Sequence, residues 1–363
     1  MDHPRLNDLI NCPCPSCGSQ LQFSAEKQGM ACGHCGYTEA LAFTKNNLRE
    51  IALSEGRADD ATRGMKTVEQ RIFDCRSCGA RTNVFYDQPT IVCGFCGSTN
   101  VNPEATRTRL IEPAGVLPFR LSKRQAQEKF TAWIGRDLFA PNDLKALSRL
   151  DALKGVYIPF WTFDAETTSH WEGEAGTYYT VPVQVRDANG RTMTQQQQRV
   201  RWTPRQGTYE HFFDDVLIQA SGKLSQPQLR EVFPYRLEEV VDYEPRVLLG
   251  WEAEVYGVDV EEGQQRARQE IKQRIEAACA QACAADTYRN LRVETEYENP
   301  TFKHLLLPLW ICSYQYNGKA YQFLINGQTG SIAGTRPKSF WKIALLVVAF
   351  ILLVVILIGL AKR

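Results

Sequence analysis

The sequence CPSCG at residues 14–18 is followed by CGHCG at 32–36, and the pattern returns as CRSCG at 75–79 and CGFCG at 93–97. Both sets have the spacing C-x2-C-x14-C-x2-C, and the second set follows the first by 61 positions at every cysteine. Four thiolates bind Zn²⁺ tetrahedrally, and two residues between ligands allow a tight turn, or knuckle, around the ion. This repeat predicts two structural zinc ribbons, with the ligands Cys14, Cys17, Cys32 and Cys35 in the first and Cys75, Cys78, Cys93 and Cys96 in the second.

A glycine follows the second cysteine of every knuckle, at Gly18, Gly36, Gly79 and Gly97. A knuckle turn favours a residue that tolerates positive φ, which glycine does without steric cost. The residues between knuckles suit a short β-hairpin, and so small a module depends on the metal for most of its folding free energy. Disulfides and a rubredoxin-type iron site are the alternatives, whereas four thiolates leave no open position for catalytic zinc.

The cysteines are concentrated near the amino terminus, because nine of the twelve precede residue 97. The first eleven residues, MDHPRLNDLIN, contain neither a basic nor an apolar segment, so they do not resemble a signal peptide. We therefore expect these cysteines in the reducing cytosol, where paired CxxC motifs are typical of metal sites.

The carboxyl-terminal stretch IALLVVAFILLVVILIGLA, residues 343–361, has no charged or strongly polar side chain. At about 1.5 Å per residue its helix is roughly 28 Å long, close to the hydrocarbon thickness of a bilayer. Phe340 and Trp341 precede it as an aromatic belt would. We expect a transmembrane tail anchor over residues 341–361, with the remainder of the chain in the cytoplasm; a buried core helix is the alternative.

The cysteine sets and the apolar stretch divide the chain into successive segments. We expect the first ribbon over residues 1–37, a linker over 38–70 and the second ribbon over 71–100. Residues 110–335 then form an α+β domain, with antiparallel sheets and helices packed on one side.

Within the α+β domain, a strand–helix–strand unit occurs twice, over about residues 110–165 and 250–332. The sequences PFW at 159–161 and PLW at 308–310 lie at corresponding places in the two units. Each follows an amphipathic helix, and the two helices open on capping patterns, Ser122 with Gln125 and Asp259 with Glu262.

Proline and asparagine–glycine pairs add local predictions to this domain. Pro159 and Pro308 cannot donate a ladder hydrogen bond, so we expect their strands to bulge or to lie at an edge there. Asn-Gly pairs predict tight turns at 189–190, 317–318 and 326–327.

Motifs of catalysis are missing from the sequence. It has no P-loop, no G-x-S-x-G elbow and no H-E-x-x-H zinc motif, so we expect a non-enzymatic protein. A cluster of His211, Asp214 and Asp215 is the alternative, although the surrounding YEHFFDDV is typical of a strand end and turn. We expect core positions for the carboxyl-terminal cysteines, Cys279, Cys283 and Cys312.

The ribbons carry few charges, namely Glu26 and Lys27 in the first and Arg76, Arg81 and Asp87 in the second. The whole chain has a formal net charge of +1. Proteins that bind nucleic-acid backbones usually show a basic excess. Protein contact is therefore the leading interpretation for the ribbons, with nucleic-acid contact and a purely structural role as alternatives.

The two ribbons, the paired Pro-x-Trp strands, the NGQTG segment at 326–330 and the anchor together resemble a group of bacterial tail-anchored, double-zinc-ribbon membrane proteins. Such chains are sometimes labelled as primosomal-helicase-like, but a helicase needs a Walker loop, which this sequence lacks. Members of the group are encoded near phage-shock protein A and SPFH-type proteins. The resemblance implies a bacterial inner-membrane location and the recruitment of such proteins to the membrane.

We therefore expect a non-enzymatic adaptor that is held to the membrane by residues 341–361. Its ribbons or its α+β domain would bind protein partners, and two structural Zn²⁺ ions would be its cofactors. A membrane-tethered zinc-ribbon protein that binds nucleic acid in replication or transcription, without itself being a helicase, is the alternative.

Overall fold

The computed structural model describes residues 11–45, 48, 50–53, 67–84, 92–102, 106–136, 153–186, 191–224, 226–316, 319–334 and 338–361. Within these residues the chain folds as an α+β protein, which confirms the predicted class. The expected turns at 189–190 and 317–318 lie outside the described residues, whereas the turn that follows Asn326 is present.

Short strands precede and separate the helices along the described chain, and three strands are much longer than the rest. The strands are β1 (Leu21–Ser24), β2 (Gly29–Cys32), β3 (Thr38–Ala40), β4 (Ile51–Ala52), β5 (Thr67–Asp74), β6 (Arg81–Val84), β7 (Thr106–Ile111), β8 (Gly115–Val116), β9 (Leu153–Arg186), β10 (Thr192–Gln219), β11 (Val241–Asp242), β12 (Glu252–Glu254), β13 (Thr287–Tyr316), β14 (Lys319–Asn326) and β15 (Ile332–Gly334). The α-helices are α1 (Lys123–Gly135), α2 (Gln226–Val232), α3 (Val260–Cys283) and α4 (Phe340–Ala361). Short 3₁₀ helices span Leu237–Glu239 and Pro245–Leu248.

These strands form one small and one large sheet. β1, β2 and β3 make an antiparallel sheet, and the others make a twelve-stranded sheet whose main path is β11-β8-β13-β9-β12-β6-β5-β7. β10 pairs with β9, β4 and β14 pair with β13, and β15 pairs with β14. The large sheet is mixed, because β8 runs parallel to β13 and β12 runs parallel to β9. The expectation of antiparallel sheets is wrong at these two pairs.

Both parallel pairs arise from an exchange between two strand–helix–strand units, β8–α1–β9 and β12–α3–β13. The short first strand of each unit pairs with the long strand of the other unit. The two long strands pair antiparallel with each other at the centre. Neither unit therefore pairs its own short first strand with its own long strand.

Two tryptophans make the same hydrogen bond in the two units. The indole N–H of Trp161, in β9, donates to the carbonyl of Val258 at 2.9 Å, one residue before the N-cap of α3. The indole N–H of Trp310, in β13, donates to the carbonyl of Leu121 at 3.2 Å, one residue before the N-cap of α1. Both rings are buried, so each bond satisfies a donor that would be costly to leave unpaired. Each also fixes the start of a helix in the opposite unit.

Both helices begin where the capping patterns predict. Ser122 accepts a hydrogen bond from the Gln125 amide, and the Gln125 side chain accepts one from the Ser122 amide at 2.9 Å. Asp259 accepts one from the Glu262 amide at 2.8 Å. A cap of this kind stabilises a helix by about 1 kcal/mol.

The buried face of α3 packs on the large sheet, against a cluster that includes Trp171, Phe213 and Phe302. The buried residues of this helix are Val260, Gly263, Ala267, Ile271, Ile275, Cys279 and Cys283. Its two cysteines are fully buried, as is Cys312 in β13. The prediction that these three cysteines are core residues is confirmed.

The two strand prolines produce neither the bulge nor the edge that the sequence predicts. Pro159 lies where β9 changes partner from β12 to β10, and Pro308 lies where β13 changes partner from β8 to β14. The Pro159 carbonyl accepts from the Ala220 amide at 3.1 Å, and the Pro308 carbonyl accepts from the Gly327 amide at 2.9 Å. The backbone N and O of an extended residue point to the same side. The side on which each proline lacks an N–H is therefore the side where one partner strand ends and the next begins. No ladder donor is required there.

β9, β10 and β13 extend beyond the neighbouring strands as a three-stranded arm. The arm comprises residues 165–186, 192–213 and 287–300. α3 packs against one of its faces, and the opposite face is exposed. β13 begins at Thr287, which pairs with Gly176, so β9 and β10 continue alone past this point. We call this two-stranded end, residues 177–186 and 191–201, the arm tip.

A buried lysine joins the strands at the base of the arm. The Lys303 ammonium lies 2.8 Å from a carboxylate oxygen of Asp215 and 3.5 Å from one of Asp164, and the lysine side chain is only 10% exposed. Asp164 also accepts a hydrogen bond from the Asp215 amide at 2.6 Å. Asp215 lies in a bulge between Phe213 and Val216, after which β10 continues. The predicted strand end and turn is therefore wrong, because the bulge absorbs the two aspartates within the strand.

The carboxyl-terminal helix α4 is apolar apart from Lys342 in its first turn. Its 21 residues from Phe340 to Leu360 are long and apolar enough to cross a membrane, and this stretch is not buried against the described chain. A core helix would bury its apolar side chains, so the observed exposure disfavours that alternative.

Replacement of Lys303 by Met is expected to lower the free energy of unfolding by about 3 kcal/mol, because it leaves the buried Asp164 carboxylate without its counter-charge. The measurement is denaturant unfolding of the full chain in detergent, followed by tryptophan fluorescence. Lys272→Met on α3 is the matched control, since the Lys272 side chain is 66% exposed, and it should change stability by less than about 0.5 kcal/mol. Equal effects of the two substitutions would contradict this role of Lys303.

Candidate metal centres

The four cysteines of the first set converge on one point. Their sulfur atoms all lie within 4.8 Å of one another, with Cys14 and Cys35 3.6 Å apart and Cys17 and Cys32 3.5 Å apart. Four sulfurs at about 2.3 Å from a central Zn²⁺ would be separated by about 3.8 Å. The arrangement therefore fits a tetrahedrally coordinated ion.

The four cysteines of the second set are arranged in the same way. Their sulfurs also lie within 4.8 Å of one another, and both Cys75–Cys96 and Cys78–Cys93 are separated by 3.7 Å. The structure thus brings together all eight cysteines predicted as ligands, as two clusters of four that can each hold a metal ion.

The knuckle glycines adopt the conformation that the sequence predicts. Gly18, Gly36, Gly79 and Gly97 have φ values of 75°, 78°, 71° and 73°. The amide of each donates to the carbonyl of the first cysteine of its knuckle, as Gly18 does to Cys14 at 2.8 Å. A residue with a Cβ in this left-handed conformation costs roughly 1–2 kcal/mol, so glycine is favoured at the close of each knuckle.

Hydrogen bonds and burial act in opposite directions on the thiols. Side-chain and backbone bonds from Ser19 lower the pKa of Cys17 to about 5. Burial raises the pKa of Cys75, but amides of the same knuckle lower it to about 7 on balance. Burial raises the pKa of Cys93. A bound cation would offset this desolvation and hold all four thiolates of a cluster ionised.

The first ribbon is docked firmly on the α+β domain. The Phe23 amide donates to the Leu249 carbonyl at 2.8 Å, and the Trp251 indole donates to the Phe23 carbonyl at 3.1 Å. The Gln28 side chain donates to the Phe119 carbonyl at 2.7 Å. Both knuckle tips of this ribbon nevertheless face solvent, with the exposed residues Pro15, Ser16, Gly33 and His34.

The second ribbon is part of the large sheet, because β5 pairs with β7 and β6 pairs with β12. Its second knuckle is buried, with the Gly94 amide donating to a Glu252 carboxylate oxygen at 3.2 Å. A Cβ on Gly94 would lie 2.8 Å from the Val156 side chain, so glycine is required for this close approach. The tip of its first knuckle, Arg76 and Ser77, is exposed, as both knuckle tips of the first ribbon are.

Two buried glutamates on β12 were missed by sequence reasoning. Glu252 and Glu254 are 9% and 5% exposed, and burial raises the pKa of each to about 7. Glu254 accepts from the Gly222 amide at 3.2 Å. Their burial cannot be predicted from the sequence, because two glutamates at alternate positions of a short strand normally indicate a solvent-exposed face. Here β12 lies between β9 and β6 within the sheet.

The residues weighed as a catalytic cluster are only partly brought together. Carboxylate oxygens of Asp164, Asp214 and Asp215 lie within 4.8 Å of one another, and His211 is not part of that group. Lys303 partly neutralises the charge there. The expectation of a non-enzymatic protein stays a prediction.

Over 343 residues the chain is 28% identical to a protein of Bacillus subtilis (strain 168) named uncharacterized protein YdjG. The similarity covers 93% of this chain and 92% of that protein. No protein-family model matches the chain, and no solved structure matches it significantly.

Glu254→Gln should stabilise the protein more at higher pH than at lower pH. Burial raises the pKa of Glu254 from its ordinary value of 4.5 to about 7 in the folded state, so the folded state binds more protons than the unfolded state between these values. The wild-type free energy of unfolding therefore loses a contribution as pH rises through this window, and glutamine removes this dependence.

The measurement is denaturant unfolding of the full chain in detergent, near pH 6 and near pH 8. The stability difference between Glu254→Gln and wild type should increase by about 1 kcal/mol over this interval. The control Glu261→Gln, on the exposed side of α3, should show no trend. A difference that is constant or falls with pH would refute the burial argument for Glu254.

Proposed function

We propose that this protein is a membrane-anchored, non-enzymatic adaptor that uses the first of its two metal-stabilised ribbons to recruit protein partners to the cytoplasmic face of a membrane. The observation that carries this proposal is the exposure of both knuckle tips of the first ribbon, whose remaining surface is docked on the α+β domain. A rigidly held, exposed surface is suited to a folded partner, because little conformational freedom is lost on binding.

We infer that both cysteine clusters hold structural zinc. Sulfur separations of 3.5 to 3.7 Å suit a tetrahedral ion, and four thiolates fill every coordination position. The metal would bind no substrate; it would hold two knuckles together and neutralise the thiolates that the fold buries.

We propose α4 as the anchor, with the ribbons on the cytoplasmic side. Thiolate ligands require a reducing compartment, which supports this orientation. The resemblance to bacterial tail-anchored ribbon proteins supports the inner membrane of a bacterium. Confinement at a membrane raises the effective concentration of a bound partner at the bilayer.

The charge of the first ribbon favours a protein partner. The exposed charged residues of its described part are Glu26, Lys27 and Glu39, so this surface lacks the positive charge that nucleic-acid backbones attract. The same resemblance points to SPFH-type or phage-shock-type proteins as the class of partner.

Binding of nucleic acid is the second candidate function, and one observation favours it. On one face of the arm tip the exposed Tyr179 lies directly opposite Arg199 and beneath the guanidinium of Arg201, and Tyr178 is exposed on the other face. Aromatic rings interleaved with arginines are typical of surfaces that bind single strands. Binding of the full chain to single-stranded DNA that weakens steeply with salt would replace the adaptor proposal.

The purified full chain is expected to contain about two zinc ions. Cys14→Ser and Cys93→Ser should each remove one ion, because each site loses one of its four ligands. The measurement is metal analysis by mass spectrometry after dialysis. Cys12→Ser, two positions before a proposed ligand, is the control and should retain both ions. Iron in place of zinc, or disulfides among these cysteines in protein from intact cytosol, would end the zinc inference.

The double substitution Ser16→Glu and His34→Glu at the knuckle tips of the first ribbon should weaken partner association by about tenfold or more, a loss of about 1.4 kcal/mol. The matched control changes the exposed tip of the second ribbon, with Arg76→Glu and Ser77→Glu, and should retain the partners. The readout is the set of proteins that copurify with the full chain from its native membrane, at equal zinc content. If the variant Ser16→Glu, His34→Glu still copurifies with every partner of the wild type, the proposal that the first ribbon is the docking surface is wrong.

A further inference from the structure

The exposed face of the arm carries a ladder of glutamates. Glu294, Glu296 and Glu298 alternate along β13, so all three project from one face. The strand register places Glu166 of β9 directly opposite Glu298, and Glu210 of β10 one row along on the same face. All five side chains are exposed, and we call this set the glutamate face.

None of the five carboxylates of the glutamate face makes an ion pair with a described residue. The next residue of the same row, Arg292, pairs instead with Glu172 at 3.5 Å, and Glu174, farther along the arm, pairs with Arg289 at 2.8 Å. Glu166 and Glu298 are direct cross-strand neighbours, and like charges at such positions are destabilising. This repulsion between glutamates does not stabilise the fold. The glutamate face is therefore suited to bind a positively charged surface of another molecule.

The arm tip presents the opposite charge. Arg199 and Arg201 alternate along β10 and project from the other face of the arm. The helix α3 ends at Cys283, whose carbonyl accepts a hydrogen bond from Arg205 at 3.4 Å, so both arginines lie beyond its end and are exposed. The Arg201 guanidinium lies over the Tyr179 ring at 5.4 Å. Neither arginine pairs with a carboxylate of the described residues.

We propose that the glutamate face of one copy binds the arginine-bearing arm tip of a second copy. Residues two apart on a strand are separated by about 6.8 Å, so two successive glutamates of β13 match the spacing of Arg199 and Arg201. The ladder of glutamates is complementary to a strand that has basic side chains at alternate positions, and β10 of the same chain is such a strand. Arginine also binds carboxylates with paired hydrogen bonds.

A second copy fits this surface better than a lipid headgroup does. Anionic lipids repel a row of glutamates, whereas the net charge of +1 creates no overall repulsion between copies. The two surfaces lie on opposite faces of the arm, so two copies cannot make both contacts with each other at once. The contact is therefore heterologous, and successive copies form a row or a closed ring. Anchoring in one membrane, as proposed above, would concentrate the copies and favour this contact.

The test is sedimentation velocity of the full chain in detergent over a micromolar concentration range. Wild type should self-associate at low salt and dissociate in about 0.5 M NaCl. The triple variant Glu294→Lys, Glu296→Lys, Glu298→Lys and the double variant Arg199→Glu, Arg201→Glu should each weaken association at least about tenfold. An equimolar mixture of the two variants should associate again, because the exchanged charges are complementary.

Two further variants separate binding from folding. Glu294→Gln, Glu296→Gln, Glu298→Gln removes the charges and the repulsion between Glu166 and Glu298, so it should raise Tm slightly while it weakens association. The triple variant Glu261→Lys, Glu262→Lys, Glu276→Lys lies on the exposed side of α3. It changes the net charge by as much as the triple Glu→Lys variant of β13 does, and it should associate like wild type. A monomeric wild type, a mixture that does not associate, or an equal loss in the α3 variant would each overturn the proposal.

Discussion

The architecture depends on an exchange in which each strand–helix–strand unit is completed by the other. β8 and β12 each join the long strand of the opposite unit, and Trp161 and Trp310 each bond the backbone just before the opposite helix. An indole N–H without a partner in this core would cost about 1–3 kcal/mol, so both bonds resist any separation of the units. The ribbons attach to this frame, and the arm is an extension of its two central strands.

The two candidate metal centres are similar in their four cysteines and different in their surroundings. The second ribbon contributes β5 and β6 to the large sheet and buries Phe95, which is 4% exposed. The first ribbon keeps its own three-stranded sheet and turns both knuckle tips to solvent. The same cysteine motif therefore occurs once within the large sheet and once in a module whose knuckle tips stay exposed. This difference explains why the proposed docking function is assigned to the first ribbon.

Sequence reasoning succeeded where the interacting residues are close along the chain. The cysteine knuckles, the glycines that close them and the caps at Ser122 and Asp259 are determined within a few residues, so their patterns predicted both clusters and both helix starts. The failures involve partners far apart in sequence. Pro159 is tolerated because β9 changes neighbours there, and glycine is required at position 94 by the close approach of the Val156 and Glu252 side chains, which are distant in sequence. No local pattern encodes such pairings, and for the same reason the parallel strand pairs and the arm were not predicted.

The attachment of the first ribbon has a consequence for the order in which the chain acquires its structure. Its cysteine pairs are separated by only 15 and 21 positions, so this module needs only a short loop to close. Its dock is different, because Phe23 and Trp251 are separated by 228 positions, and contacts between such distant residues form slowly. During synthesis the ribbon therefore emerges long before the surface that receives it. The ribbon is made before the surface that receives it and is among the last parts to reach its final place, and in the meantime it depends on its own cysteines rather than on the rest of the chain.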